Sequence, residues 1–198
     1  MPAMTLLDHA GIRPQPAALA EAVLVLIDMQ REYSDGRLAL PGVGPAVAAA
    51  AELLARALRL GTPVIHVLQQ GRPGGLFDAA GPTVAPIAGL ESAAGEGVVK
   101  KTLPNAFAGT DLAERIAATG RGKLVVVGFM THMCVDATTR SALDHGLATT
   151  VVAAACASRD LPDPLGGARP AAEVHRAALT ALADRFATVV ADGAGIPD

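Results

Sequence analysis

The chain of 198 residues is short of aromatics, which make up 3%, and has only two cysteines. Neither cysteine sits in a framework spacing, which excludes a disulfide scaffold and fits a reducing, cytoplasmic setting. Dense basic runs are missing and the net charge is −3, so no nucleic-acid surface is expected. The longest apolar runs are too short or too rich in small residues to span a bilayer, so no membrane contact is expected either. The first twenty residues show no basic segment followed by an apolar core, and no signal peptide is read there. A Gly-x-Gly-x-x-Gly turn, a Walker-type loop and a Gly-x-Ser-x-Gly elbow are all missing, which leaves nucleotide binding and serine hydrolysis without local support.

What is present is an apolar chain, 51% hydrophobic and dominated by alanine. Its length suggests one domain spanning 1–198, with residues 1–20 as an irregular arm stiffened by Pro14 and Pro16. Ala22–Asp28 reads as a parallel strand covered on both faces. A helix over Gly44–Leu60 follows, opened near Pro45 and closed by Gly61. Strands are expected at Pro63–Leu68, Val98–Lys101, Lys123–Val127, Ala148–Ala153 and Ala187–Val190. Helices are expected from Thr110 to about Thr119, over Val135–His145, and over Ala171–Arg185. Strands alternating with helices predict an α/β fold: a Rossmann-like three-layer α-β-α sandwich on a mostly parallel sheet. Gln69–Gly89 is a long Gly/Pro loop, of a kind that is usually functional or at an interface.

In open α/β sheets, sites form at the carboxyl ends of strands. Cys134 follows the Lys123–Val127 strand at a turn into a helix, where a helix N-terminus and a nearby cation favour a thiolate. It is a candidate nucleophile, or else a small buried residue. Asp28 ends the first strand and is a candidate acid/base or a turn cap. Lys101 ends the Val-Val-Lys-Lys strand and faces either the site or solvent. Successive strand residues point to opposite faces, so only one of Lys100 and Lys101 can face the crevice. An acid, a cation and a thiol converging there would suit hydrolysis through a thioester.

Three segments carry a family resemblance: Val-Leu-Ile-Asp-Met-Gln-Arg-Glu-Tyr (25–33), Lys-Thr-Leu-Pro-Asn-Ala-Phe-Ala-Gly-Thr-Asp-Leu (101–112) and Gly-Phe-Met-Thr-His-Met-Cys-Val-Asp-Ala-Thr-Thr-Arg (128–140). In order and spacing they resemble the isochorismatase-like cysteine hydrolases, which include nicotinamidases and N-carbamoylsarcosine amidases. The resemblance implies an Asp28–Lys101–Cys134 triad. It also implies a cis peptide at Phe129–Met130, with the backbone N–H groups of Met130 and Cys134 as an oxyanion hole. By the same resemblance the chain would be a dimer or larger homo-oligomer.

Around His66 the Asp-x-His pair of the nicotinamidase branch is missing, so no metal and no cofactor is expected, and His66 reads as a hydrogen-bonded core histidine. Tyr33, Phe107 and His132 are candidates for lining the pocket of a small-molecule substrate. The rings could instead be ordinary core, and His132 could serve only the backbone. Cys156 reads as inert packing, and Glu173, His175 and Arg176 as a solvated helix face. Phe77, in the long loop, would be exposed unless a second subunit covers it. The expected activity is metal-independent cleavage of an amide or related C–N bond. The alternatives are vinyl-ether hydrolysis of the isochorismatase type and a non-catalytic binding subunit.

Overall fold

The computed structural model describes residues 2–198; Met1, the first residue of the expected arm, lies outside them. The arm holds one short helix, α1 (Leu6–His9), started by a capping box between Thr5 and Asp8. The chain then runs β1 (Ala22–Ile27), α2 (Val43–Arg59), β2 (Val64–Gln69), β3 (Gly97–Lys101), α3 (Leu112–Ala118), β4 (Lys123–Phe129), α4 (Asp136–Asp144) and β5 (Ala148–Ala157). A small antiparallel hairpin, β6 (Leu161–Pro162) with β7 (Ala168–Arg169), follows, and α5 (Ala171–Arg185) and β8 (Thr188–Val190) close the fold.

Six strands form one parallel sheet in the order β3-β2-β1-β4-β5-β8. All six residues of β1 are buried, as a central parallel strand requires. Leu24 and Leu26 of β1 pack with Ala46, Ala50, Leu53 and Leu54 of α2. Those α2 positions follow a helical period, which gives the helix one apolar stripe. On the other face, Val23, Val25 and Ile27 share a core with residues of α3, α4 and α5. The fold is therefore the expected α-β-α sandwich. Chain order reverses between β1 and β4, and at such a switch point the strand ends diverge to leave a crevice.

Two departures from the sequence reading matter. Phe77 is buried within the chain, 6% exposed, with its ring edge-on to Tyr33 at 5.2 Å. The surrounding loop is pinned internally: Gly71 N–H donates to the Phe77 carbonyl, Thr83 to Glu32, and Gln30 to the Val84 carbonyl. Phe77 therefore needs no second subunit to cover it, and a homo-oligomer is implied by the family resemblance alone. The second departure is the start of the helix after β4. A π-turn over Thr131–Val135 precedes α4, so Cys134 lies within the first helical turn rather than ahead of it.

Gly128 is the tightest point of the sheet. Its φ is +131°, and a Cβ there would lie 2.0 Å from the Ile27 carbonyl oxygen. β4 and β1 meet at this point, with Ile27 opposite Gly128. Gly128→Ala is expected to destabilise the chain by about 3 kcal/mol or more, from overpacking plus backbone strain. Urea unfolding midpoints will measure it, and a variant as stable as the parent would refute the close approach.

Candidate active site

Four strand ends meet at the carboxyl edge of the sheet. Asp28 directly follows β1 and sits at φ +50°, a left-handed conformation that aspartate tolerates better than most residues. Lys101 closes β3, whose alternation leaves Val99 and Lys101 buried and Lys100 exposed. Gln69 closes β2 directly opposite Lys101. Cys134 comes from the π-turn after β4. Of the paired lysines, Lys101 is thus the one that points inward.

The lysine is the centre of the cluster. Its Nζ lies 2.7 Å from Asp28 Oδ2, 2.6 Å from Gln69 Oε1 and 3.2 Å from Cys134 Sγ. Lys101 and Asp28 are fully buried and Cys134 is 5% exposed. At 2.7 Å the Lys101–Asp28 contact is a buried ion pair, and the Cys134 thiol also bears on the same carboxyl group.

Burial raises the Asp28 carboxyl above its ordinary range, and the Lys101 charge opposes that rise. Burial also pushes the Cys134 thiol up to about 12, with the Asp28 charge adding to the rise and Lys101 opposing it. This reverses the expectation of a resting thiolate. Lys101 balances one anion, and two anions in a space closed to water would leave an unpaired buried charge. A single proton shared by Asp28 and Cys134 would avoid that charge.

The Phe129–Met130 peptide is cis. Hydrogen bonds from the Met133 and Val135 N–H groups to the Met130 carbonyl close the π-turn that follows. Two histidines brace the turn. His132 Nδ1 lies 3.0 Å from Ser158 Oγ, and His175 Nδ1 lies 2.8 Å from the buried Thr131 hydroxyl. The reading of His175 as a solvated helix residue is therefore corrected. Burial lowers the pKa of both imidazoles, which favours their neutral form. The other ring nitrogen of His132 is buried without a partner. The ring also lines a groove of about 600 Å³ between α4 and α5, with Asp136, Arg140, Val174 and Ala177. Arg159, just past β5, lowers the pKa of His132 and opposes the rise at Tyr33 through its charge.

Of the two placements open to the aromatic candidates, both rings take the core one. Tyr33 is 2% exposed and packs edge-on against both Phe77 and Phe129, at 5.2 and 5.6 Å. Phe107 is 9% exposed and stacks on His145 at 4.5 Å. In a chain with so few aromatics both rings fill core volume instead of forming an open wall. Burial, with the Asp28 and Cys134 charges, raises the Tyr33 hydroxyl pKa strongly. Cys156 is buried on β5 opposite Gly128. His66 is buried on β2 and pairs with Glu96 at 2.7 Å. Among the described residues no three His, Cys, Asp or Glu side chains are grouped to hold a metal, and no helix is long and apolar enough to cross a membrane.

Gln69, Ser158, Thr131 and His175 were missed in the sequence. Gln69 shared the signal used for Asp28 and Lys101, a polar residue closing an apolar strand. His175 had no such signal, because only tertiary packing brings α5 to the turn.

Cys134 and Cys156 both keep their protons to about 12 in the folded chain, whereas an unfolded thiol releases its proton near about 8.5. Their contribution to stability is full below the unfolded value and is lost as pH rises toward the folded one. Unfolding free energy is therefore expected to fall between about pH 9 and 12, and Cys156→Ala should flatten that fall. Denaturant titrations across the range test this, and equal slopes in parent and variant would contradict it.

A family model described as "Isochorismatase domain" matches residues 22–192. A crystal structure of an isochorismatase from Pseudomonas putida KT2440 superposes with a TM-score of 0.94 at 42% identity, covering 98% of this chain and all of the other. N-carbamoylsarcosine amidase from Thermoplasma acidophilum superposes with a TM-score of 0.71 at 26% identity, over 86% of this chain and 95% of the other. A streptothricin hydrolase from Streptomyces noursei is 33% identical over the full chain and 76% of its own length. With the match over most of its length and the strand-end cluster in place, the chain belongs to the isochorismatase family of hydrolases.

Proposed function

We propose that the chain is a metal-independent cysteine hydrolase that cleaves an amide or related C–N bond of a small molecule through a thioester. The observation that carries this reading is the buried contact of one ammonium with both a carboxylate and a thiol. Removing a lysine and an aspartate from water is expensive, and a binding subunit has no use for the pair. Relatives named for amide chemistry support the reading: one is an N-carbamoylsarcosine amidase. Vinyl-ether hydrolysis is the weaker alternative, because it leaves the thiol without a role.

The proposed reaction keeps a proton within the cluster. Asp28 accepts the Cys134 proton as Sγ attacks the carbonyl carbon, so no free thiolate has to accumulate. The backbone N–H groups of Met130 and Cys134 are the proposed donors to the tetrahedral oxyanion. The C–N bond then breaks, and Asp28 returns its proton to the leaving nitrogen. A water molecule gives a proton to Asp28 and attacks the thioester. The acid leaves, and Asp28 returns that proton to the sulfur. Lys101 stays charged throughout and balances whichever of Asp28 and Cys134 is anionic. Both thiols are free, which suits the cytoplasmic location we also propose.

Incubating the protein with a panel of small amides, then digesting it for mass spectrometry, is expected to show an acyl adduct on Cys134. Cys134→Ser should abolish turnover and keep the fold. Lys101→Met should lower kcat by roughly two orders of magnitude or more, the range of a lost electrostatic donor, while the exposed Lys100→Met changes it little. Chelator treatment should leave activity intact. Turnover that survives Cys134→Ser would overturn the thioester mechanism.

A further inference from the structure

Gln69 is held more tightly than an ordinary strand-end residue. Its side-chain Nε2 donates to the Gln70 carbonyl at 3.1 Å, which turns Oε1 toward Lys101 at 2.6 Å. Its backbone is clasped by the fully buried Gln30. The Gln69 N–H donates to Gln30 Oε1 at 2.8 Å, and the Gln69 carbonyl accepts from Gln30 Nε2 at 3.0 Å. The same Gln30 Nε2 also reaches the Val84 carbonyl at 2.7 Å. Two amide side chains, neither of them ionisable, thus fix the oxygen that meets the ammonium.

We infer that Gln69 is a positioning residue that holds the Lys101 ammonium against Asp28 and Cys134 without neutralising it. An ammonium has three donors, and three acceptors surround this one: a carboxylate, an amide oxygen and a sulfur. Had the third acceptor been a carboxylate, the cluster would carry two fixed anions against one cation. Ionising the thiol would then put a third negative charge in a buried space. With an apolar side chain instead, a buried charged donor would lack a partner, and nothing would hold the ammonium against Asp28 and Cys134. An amide oxygen avoids both outcomes. It satisfies the ammonium and leaves its whole charge to Asp28 and the sulfur.

The inference gives Gln69 a purpose within the cysteine-hydrolase reading, but its test reads the thiol directly and needs no substrate. The rate of iodoacetamide alkylation at Cys134, located by mass spectrometry, is followed from pH 6 to 9. Gln69→Glu keeps the shape of the side chain and adds a charge. It should slow alkylation by about tenfold or more at every pH, because each unit of rise in the thiol pKa is worth a factor of ten. Gln70→Glu, one residue along on the same strand end, should change the rate by less than about twofold, as expected of a charge outside the cluster. Gln69→Met, which removes the oxygen without adding charge, should slow alkylation by about threefold or more, because an ammonium short of one acceptor is no longer fixed against the sulfur.

Urea unfolding establishes that each variant is folded, and the Met variant serves if the Glu variant is not. A folded Gln69→Glu or Gln69→Met with the parent's pH–rate curve would overturn the inference, as would an equal loss in Gln70→Glu. If alkylation responds as expected but no amide ever acylates Cys134, the role of Gln69 stands and the hydrolase reading falls.

Discussion

The buried ammonium of Lys101 is the constraint around which the rest is arranged. A charge with no access to water needs an acceptor for each of its protons, and these come from three other segments: the end of β1, the end of β2 and the turn after β4. None of the three acceptors can move far without leaving a charge unsatisfied. The sheet order makes the arrangement possible, since β3 is separated from β1 only by β2. A lysine side chain is long enough to cross that one strand. A shorter side chain at the end of β3 could not reach Asp28.

The same burial shapes the chemistry. A cysteine hydrolase is often pictured with a thiolate waiting at rest. Here desolvation outweighs the single cation, and the thiol pKa rises instead of falling. The lysine, which argued for a thiolate, does oppose the rise with the expected sign. Its effect is simply smaller than the removal of water. Ionisation is then left to the moment of attack, when Asp28 can take the proton and the negative charge can pass to an oxygen held by backbone donors.

Much of this was legible in the sequence because strands and motifs are local. The alternation at Val99, Lys100 and Lys101 separates the inward lysine from the outward one. The apolar run before Asp28 marks a central strand, and the segment around Cys134 marks the turn after another. What could not be read depends on tertiary contact. Phe77 reads as exposed in a glycine-rich loop, yet that loop folds back and places the ring on Tyr33. His175 reads as solvated because nothing in α5 reveals that Thr131 lies beneath it. The π-turn was hidden for another reason: a helix that begins with five wider-turned residues carries the same residue types as one that begins later.

The pairing of β4 with β5 holds one more consequence. Val126 lies opposite Val151, but Gly128 lies opposite Cys156, so two steps along β4 correspond to five along β5. The three surplus residues act as slack in a rope, taken up midway along the strand. Everything beyond them, including Ser158 against His132 and the following Arg159, is set by the length of that slack. Asp28, Lys101 and Cys134 hang from β1, β3 and β4 and are indifferent to it. Lengthening or shortening β5 by a residue would therefore slide Ser158 and Arg159 past a cluster of Asp28, Lys101 and Cys134 that stays where it is.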